Sequence, residues 1–423
     1  MPSLSATAPL KHATFRMLWG TWLIANVCMW MNDVASAWMM TSMTASPIWV
    51  ALVQTASTLP VFLLGLPSGA LADILDRRRY FIFTQFWVAA VALLLCLTIL
   101  SGVMTPALLL ALTFANGIGL AMRWPVFASI VPELVPRPQL PAALALNGVS
   151  MNVSRVIGPL MAGALIAIAG SAYVFVLNAV LSVISALVIM RWRHQHMPNP
   201  LGPERLFDAM RAGMQFVRHC AHLKAVLLRI FLFFFHSTAL LALLPLVARN
   251  LQGGDAGTFT LLLASMGAGT VVAALFLPRL RQAMSHDNLV TCGAVLQSVA
   301  TIAMAFAPNV HAAAAAMFLA GMAWISTANA LILAAQLALP DWVRARGMSM
   351  YQMAIMGASA AGAALWGQVA ALGSVRTSLI AAALAGVAAV LLAHRLIGKC
   401  GGRHPAKSLN KKAHEQSHDD RQE

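Results

Sequence analysis

A chain of 423 residues, of which 60% are hydrophobic and only 10% are charged, is not an ordinary soluble domain, in which about a quarter of the residues are charged. Its formal charge of +15 would suit a nucleic-acid-binding protein, but the positions of the charges, given below, argue against that class. Five cysteines without paired spacing predict neither a disulfide framework nor a zinc site. The composition therefore predicts a protein whose partner is the lipid bilayer.

Twelve mostly apolar runs follow one another along the chain, each near the ~20 residues that a membrane-spanning helix needs. Helices are expected because backbone polar groups in lipid must be paired within their own segment. The alternating pattern of a membrane β-barrel is absent from the sequence. The predicted spans are 15–41, 47–72, 80–101, 104–128, 141–169, 171–192, 225–248, 258–279, 288–307, 311–337, 347–371 and 375–397.

The basic residues predict which loops are cytoplasmic, because cytoplasmic loops carry an excess of Lys and Arg. With the N-terminus placed inside, the outer connections carry only Arg249 and Arg376, and the other loop and tail cations fall inside. The positive charge is therefore a topology signal, and no nucleic-acid partner is expected. The sequence predicts a multi-pass protein of the cell inner membrane with both termini in the cytoplasm.

The longest connection divides the spans into six and six. We predict a cytoplasmic N-terminus at 1–14, a six-helix bundle at 15–192, a cytoplasmic linker with a basic amphipathic helix at 193–224, a second six-helix bundle at 225–397 and a disordered cytoplasmic tail at 398–423. The halves echo each other, since Gly158 aligns with Gly357 and Gly163 with Gly362. The predicted fold class is an all-α membrane protein of two pseudo-symmetric six-helix bundles, with a substrate site between them.

A glycine, two acids and a basic cluster lie between spans two and three: Gly69, Asp73, Asp76, Arg77, Arg78 and Arg79. This segment resembles the inner-loop signature of the major facilitator superfamily. The chain is also similar to that superfamily's enterobactin-exporter-like, or transmembrane secretion effector, branch. Further stretches that carry this similarity are Phe15-Arg16-Met17-Leu18-Trp19 and Arg155-Val156-Ile157-Gly158-Pro159.

The resemblance implies a conformational gate in this segment. Asp73, at the inner end of span two, would accept hydrogen bonds from the free amides that begin span eleven and would hold the halves together inside. Gly69 would let span two approach a neighbouring helix closely. The alternative is that Arg77–Arg79 only mark the inner side. The sequence departs from the signature at Ile74, where a basic residue is usual, and at Asp76, where a second glycine is usual.

Asp33 is the carboxylate that the sequence places inside a span, whereas the other acids fall in loops, the tail or helix ends. Counted from the outer end of span one, it lies roughly 10 Å deep at ~1.5 Å per residue. Charged groups at such depth usually face a cavity and often bind protons or cations. Asp33 is therefore predicted to couple transport to protons or to contact substrate. The alternatives are a structural partner for a buried arginine and a residue at the wet outer mouth.

Two arginines, Arg123 and Arg155, fall within or near spans four and five. Either would bind an anionic substrate in a cavity or pair with Asp33, and a purely structural pair is equally open for each. The step Gly158-Pro159, followed by Gly163, bends span five and allows close packing. It resembles the superfamily's span-five antiporter signature, which favours export over uptake.

Several polar and aromatic side chains in the spans are candidates for a cavity lining: Trp30, Asn32, Asn147, His236 and Gln352. No metal site is predicted, because the histidine pairs of the central linker lack carboxylate support. No nucleotide-binding, catalytic-triad or metalloprotease motif is present, so neither an enzyme nor a cofactor is expected.

The sequence thus predicts a secondary active transporter, proton-coupled and exporting a small amphipathic molecule such as a siderophore-like compound or a drug. Its expected partners are that small molecule, protons and the lipid bilayer, and a monomer is expected. Two alternatives stay open: proton-symport uptake of a small metabolite, and a non-transporting membrane sensor of the same fold.

Overall fold

The computed structural model describes residues 7–192, 220–251, 253–339 and 344–400. The amphipathic helix predicted in the linker and most of the predicted tail lie outside these residues. The side chain of Asp73 is also outside the description, although its backbone belongs to a helix.

The described residues form twelve long α-helices and two short 3₁₀ helices, and no strand occurs among them. The 3₁₀ helices are Ala8–Lys11 and Arg137–Gln139. The long helices are α1 (Ala13–Met43), α2 (Pro47–Ile74), α3 (Arg77–Leu100), α4 (Pro106–Leu134), α5 (Leu140–Ala169), α6 (Ser171–Met190), α7 (Ala221–Asn250), α8 (Ala256–Ala283), α9 (His286–Ala305), α10 (Val310–Ala338), α11 (Arg344–Leu372) and α12 (Val375–Cys400).

Eleven of these twelve helices are long and apolar enough to cross a membrane. The exception is α1, which has ample length at 31 residues but a more polar composition. The predicted all-α, multi-pass membrane fold is confirmed. Asn26, Asn32 and Asp33 contribute to the polarity of α1. A helix that contacted only lipid would not be expected to carry such side chains, because polar groups are costly among acyl chains.

Several helices extend beyond the apolar runs that predicted them. Helix α3 begins at Arg77 rather than at residue 80, and α7 begins at Ala221 rather than at 225. A charged residue ends a hydropathy run but not a helix, because a long basic side chain can reach the headgroup region. Asp76 fixes the start of α3, where its carboxylate accepts a hydrogen bond from the backbone N–H of Arg79 at 2.9 Å.

Helices α1–α6 and α7–α12 form two bundles that meet along two helix pairs, α2 with α11 and α5 with α8. Within each bundle the first helix packs on the fifth and the second packs on the fourth. The two bundles therefore repeat one packing plan.

Glycine contacts fix how the halves correspond. Gly158 of α5 approaches α1, where a Cβ on it would lie 3.0 Å from the carbonyl oxygen of Val27. Gly362 of α11 makes the matching approach to α7, at the carbonyl of Phe235. The counterpart of Gly158 is therefore Gly362. The predicted match with Gly357 is wrong by five residues.

A second glycine contact gives the same register. Gly163 of α5 packs against Thr260 of α8, and Gly367 of α11 packs against Ala51 of α2. The predicted match of Gly163 with Gly362 is therefore also wrong. Glycines recur every five residues along this part of α11, so the sequence fits two registers equally well and only helix packing distinguishes them.

The apolar core is arranged differently at the two ends of the molecule. We call the end where α1 begins the near end and the end where α1 finishes the far end. At the far end one buried cluster joins both bundles, with Met40 and Val50 from the first and Leu243, Phe259 and Trp366 from the second. This shared core closes the space between the bundles at the far end.

At the near end each bundle has its own core in the described part of the chain. Phe15, Phe81 and Ile130 belong to a cluster drawn from the first bundle alone. Ile230 and Leu331 belong to a cluster drawn from the second bundle alone. The bundles are thus joined through a common apolar core at one end only.

Two contacts between the bundles reinforce the far end. The guanidinium of Arg249, in the last turn of α7, donates a hydrogen bond to the backbone carbonyl of Thr41, in the last turn of α1. The ring of Trp38 in α1 stacks on Phe259 in α8, with ring centroids 6.0 Å apart. A cation at a helix C-terminus binds carbonyls that have no partner within the helix.

We expect Arg249→Gln to loosen the far end, because the substitution removes the charged donor at the last turn of α1. The measurement is electron paramagnetic resonance distance spectroscopy between spin labels at Ala45→Cys and Gly257→Cys, exposed far-end positions in opposite bundles, in a cysteine-free background. Arg249→Gln should add a longer-distance population.

The matched control is Arg376→Gln. Arg376 is also at the far end, but its guanidinium stacks 4.0 Å from the ring centroid of Phe306, within the second bundle. It should leave the distances unchanged. Equal distance distributions for wild type and Arg249→Gln would contradict a role for Arg249 in far-end closure.

We expect Gly158→Ala to destabilise the protein, because a Cβ there would lie 2.5 Å from the Cβ of Trp30 and would push α5 away from α1. Overpacking of this kind costs about 1–3 kcal/mol. The control is Gly148→Ala in the same helix, where a Cβ meets nothing within 4 Å. Thermal unfolding in detergent should show a lower midpoint for Gly158→Ala and an unchanged or higher one for Gly148→Ala, and equal midpoints would refute the close contact.

Candidate functional site

Asp33 lies near the middle of α1 and is half-buried. Its Oδ1 accepts a hydrogen bond from the hydroxyl of Ser57 in α2 at 3.2 Å. Among the described residues, no Lys, Arg or His lies within ion-pair distance of this carboxylate. A carboxyl group so placed can gain or lose a proton without breaking a salt bridge.

One helical turn before Asp33, the side chain of Trp30 meets an arginine from α5. The guanidinium of Arg155 lies over the Trp30 ring, with its central carbon 5.4 Å from the centroid. Its Nε and Nη1 are buried and have no hydrogen-bond partner among the described residues. The close approach of α1 and α5 at Gly158 brings this pair together. Arg155 therefore holds a positive charge and unused donors beside the helix that carries Asp33.

Arg123 of α4 makes a comparable contact with α1, closer to the near end than the contact of Arg155. Its Nη1 donates to the carbonyl of Ala25 in α1 at 3.1 Å, and its guanidinium lies 5.4 Å from the Trp22 ring centroid. The side chain is almost fully buried, and its Nε and Nη2 lack partners in the described part of the chain. Trp22 itself stacks on Phe127, so the arginine is held in a fixed aromatic and backbone setting.

At the positions equivalent to Asp33, Ser57 and Arg155, the second bundle has uncharged residues. The register set by the glycine contacts places Leu241 at the position equivalent to Asp33 and Ser359 at the position equivalent to Arg155. Met266 corresponds to Ser57, because each faces the matching glycine of the neighbouring helix. The ionisable chemistry of the site therefore belongs to the first bundle.

The second bundle has a group of contacting aromatic residues on α7, α10 and α11. Phe233, Phe234 and Phe235 follow one another in α7, and Trp324 of α10 contacts the first two edge-on or tilted. Trp366 of α11 donates from its indole N–H to the carbonyl of Phe235 at 2.8 Å. Phe233 and Phe234 lie in the buried core of the second bundle, so this aromatic group mainly stabilises that bundle.

The predicted lining residues lie in different places. Asn32 is buried and accepts a hydrogen bond from Asn178 of α6 at 3.3 Å, inside the first bundle. His236 is buried between α7, α9 and α12, where its Nδ1 is 2.8 Å from the carbonyl of Leu232. Asn147 and Gln352 are half-buried in α5 and α11. Asn32 and His236 are therefore packed inside their own bundles, and a cavity lining by Trp30, Asn147 and Gln352 stays a prediction.

The predicted gate motif ties together helices of the first bundle at the near end. Arg77 forms an ion pair with Glu133 of α4, and Arg78 donates to the carbonyl of Met190 in α6. The nearest neighbour to a Cβ on Gly69 would be Pro125 of α4, at 4.0 Å. The described contacts of this motif therefore lie within one bundle, and those of the Asp73 side chain fall outside the description.

Sequence reasoning missed the partners of the charged groups. Ser57 is one of many small polar residues in the spans, and nothing in its spacing to Asp33 singles it out. Glu133 follows the fourth apolar run and carries no signal of its own in the sequence, although its place in the last turn of α4 gives it reach to Arg77. The aromatic partners Trp22 and Trp30 carry a clearer signal, because both recur at helical spacing along α1.

Comparison with known proteins agrees with this architecture. The chain is 21% identical over 278 residues to the staphyloferrin A transporter of Staphylococcus aureus, a match that covers 66% of this chain and 70% of that protein. It is 22% identical over 266 residues to macrolide efflux protein A of Streptococcus pyogenes, covering 62% of this chain and 65%, or slightly less than two thirds, of that protein.

Solved structures with the same fold include the nucleoside transporter NupG, with a TM-score of 0.75 at 12% identity, covering 90% of this chain and 99% of that one. A bacterial homologue of the human lysosomal transporter Spinster, in an inward-facing and occupied conformation, aligns with a TM-score of 0.73 at 15% identity, covering 92% of this chain and 97% of that one.

A family model described as transmembrane secretion effector matches residues 4–418, nearly the whole chain. Both the relatives and the fold are those of transporters rather than enzymes. The chain belongs to the transmembrane secretion effector family of major facilitator transporters.

Proposed function

We propose that this protein is a proton-coupled exporter of a small amphipathic molecule that works by alternating access, with Asp33 as the proton-binding group. The observation that supports this most directly is the setting of Asp33: half-buried in a membrane helix, held by the Ser57 hydroxyl and without a cationic partner among the described residues. Ionisable groups in such positions are commonly proton relays or contacts for charged cargo.

The different characters of the two bundles support an amphipathic cargo. Arg155 and Trp30 on the first bundle offer hydrogen-bond donors, positive charge and an aromatic face. The second bundle has uncharged side chains at the equivalent positions, with Leu241 in place of Asp33 and Ser359 in place of Arg155. A molecule with one polar or anionic part and one apolar part would match the charged and aromatic pair on the first bundle and the uncharged second bundle. Arg123 is held by α1 in a similar way and is assigned a role in positioning that helix.

Export is favoured by the relatives. One of the two described above is named as a staphyloferrin A transporter and the other as a macrolide efflux protein, and the second name states export. We infer a siderophore-like compound or a drug as cargo. The packing of Gly158, Pro159 and Gly163, which brings α5 against α1 and α8, fits the antiporter-like signature found in the sequence.

We propose that the near end faces the cytoplasm of the cell, across its inner membrane, and that the protein acts as a monomer. The described connections at the near end carry Arg77–Arg79, Arg137, Arg191 and Lys224, whereas those at the far end carry Arg249 and Arg376. This asymmetry agrees with the excess of positive charge in cytoplasmic loops. The conformer with a shared far-end core is then the one that opens toward the cytoplasm.

Asp33→Asn should abolish flux driven by a pH gradient but keep downhill exchange, because the amide preserves the size and hydrogen bonding of the side chain and cannot titrate. The measurement is transport of ethidium and of a radiolabelled macrolide by purified protein in proteoliposomes, with the pH gradient imposed in each direction. Ser57→Ala removes the hydrogen bond but leaves the carboxyl group, so it should reduce coupled flux less than Asp33→Asn does.

Asp255→Asn is the matched control, because Asp255 caps the N-terminus of α8 at 2.8 Å from the amide of Thr258, and asparagine is an equally good cap. It should keep wild-type coupling. Full gradient-driven flux by Asp33→Asn would remove Asp33 from the mechanism. Wild-type accumulation in the direction of proton flow would show symport in place of export, and no flux of either probe would contradict amphipathic cargo.

We also propose that Asp73 stabilises the opposite conformer, in which the near end closes, by binding the start of α11. Asp73→Asn should then decrease the far-end-open population that the Ala45 and Gly257 spin labels report in the presence of ethidium. Arg249→Gln should increase the same population. An unchanged population with Asp73→Asn would contradict the clamp while leaving the assignment of Asp33 intact.

A further inference from the structure

A groove lies on the outside of the second bundle, between α8, α9 and α10, away from the groups described above. Helices α8 and α9 each pack along α10 but scarcely touch each other. Between them is a cavity of about 540 Å³. Its walls are almost entirely apolar, with Phe276, Leu280 and Met284 on α8 and its connection, and Leu289 and Leu296 on α9.

The floor of the groove comes from α10, where Met322, Ala323 and Ser326 face it. Helix α9 is held tightly on this floor, because Gly293 packs against Thr327 without room for a Cβ. The groove is therefore a fixed feature of the packing between α9 and α10.

The groove has the depth of one lipid leaflet. Its lining on the α8 side runs from Ala273 to Met284, which at ~1.5 Å per residue is roughly 16 Å. Half of a ~30 Å hydrocarbon core is about 15 Å. The groove thus begins at the near-end surface and ends near the middle of the bilayer, which is the span of one acyl chain.

Positive charge lies at the near-end part of this groove. Arg279 lines it and is exposed, and it has no carboxylate within ion-pair distance among the described residues. Arg281, two residues on, reaches the carbonyl of Asn329 in α10 at 3.4 Å, and its Nε is buried without a hydrogen-bond partner in the described part. Asp287, the acid at the start of α9, is bound by Arg229. The guanidinium of Arg279 is therefore available to an anion from outside, and the half-buried Arg281 adds positive charge two residues further along α8.

From the depth, the apolar walls and the charge we propose that this groove binds one anionic phospholipid of the near-end leaflet. One acyl chain lies along the groove, and the phosphate is bound by Arg279, with the positive charge of Arg281 adding to the attraction. Basic pockets between membrane helices bind anionic headgroups for the same electrostatic reason. This inference does not depend on the direction of transport, the cargo or the role of Asp33.

Cys292 provides a reporter, because it lines the groove and is exposed, whereas Cys28 and Cys96 are buried. The experiment uses full-length protein with Cys292 as its only cysteine, in nanodiscs of phosphatidylcholine with or without phosphatidylglycerol. The rate of alkylation by N-ethylmaleimide is followed by mass spectrometry. Bound phosphatidylglycerol should slow alkylation at least roughly fivefold, since one arginine near an anionic lipid contributes on the order of 1 kcal/mol, which is about a fivefold change in affinity.

Arg279→Gln combined with Arg281→Gln should abolish this slowing. The matched control combines Arg137→Gln with Arg191→Gln, which removes the same charge from exposed near-end positions of the first bundle. It should keep the slowing. Equal rates with and without phosphatidylglycerol in the wild-type groove, or loss of the slowing in both double variants, would overturn the proposal.

A second measurement guards against a folding defect in the arginine variants. Cys292→Trp fills the groove but keeps both arginines, so native mass spectrometry should detect fewer retained phosphatidylglycerol molecules than on wild type. Unchanged retention would overturn the proposal. Protection of Cys292 by ethidium or a macrolide in place of phosphatidylglycerol would show a cargo site and would also overturn it.

Discussion

Inside a membrane, a charged or hydrogen-bonding side chain is stable only where a partner, water or cargo can reach it, and this constraint organises the first bundle. Among the described long helices, α1 is the one without a stretch apolar enough to count as a membrane span by composition, and it is contacted by α2, α4, α5 and α6. Its polar groups meet those neighbours: Ser57 on Asp33, Asn178 on Asn32, and an arginine over each of two tryptophans. The packing of α1 against its neighbours therefore provides partners for its polar and aromatic side chains.

The duplication of the fold has not preserved this chemistry in both copies. The two bundles share their glycine contacts closely, which means that the backbone framework is common to them. At matching positions the side chains differ in kind, with Leu241 in place of Asp33 and Met266 in place of Ser57. A shared backbone framework therefore carries ionisable side chains at these positions in one bundle and uncharged side chains in the other.

Much of this architecture could be predicted from the sequence. Long apolar runs fix the number and order of the helices, since lipid leaves the backbone few alternatives. The intramembrane location of Asp33 followed from the same runs. The helix ends could not be predicted from the apolar runs. Helix α3, for example, begins at Arg77, before its apolar run, with Asp76 as the N-cap. The register between the halves also escaped prediction, since the glycine spacing in α11 fits two alignments. Partners such as Ser57 depend on how two helices are rotated, which a single sequence does not encode in any local pattern.

The common core at the far end makes closure there sensitive to temperature. Separating the bundles at that end would expose side chains such as Leu243 and Phe259 to water, and the free energy of that exposure is hydrophobic in origin. Hydrophobic stabilisation weakens on cooling. The near-end cores are each complete within one bundle and need no such exposure when the bundles move apart. Cold should therefore favour opening at the far end, and the balance between the conformers with this end closed and open should carry a marked heat-capacity difference.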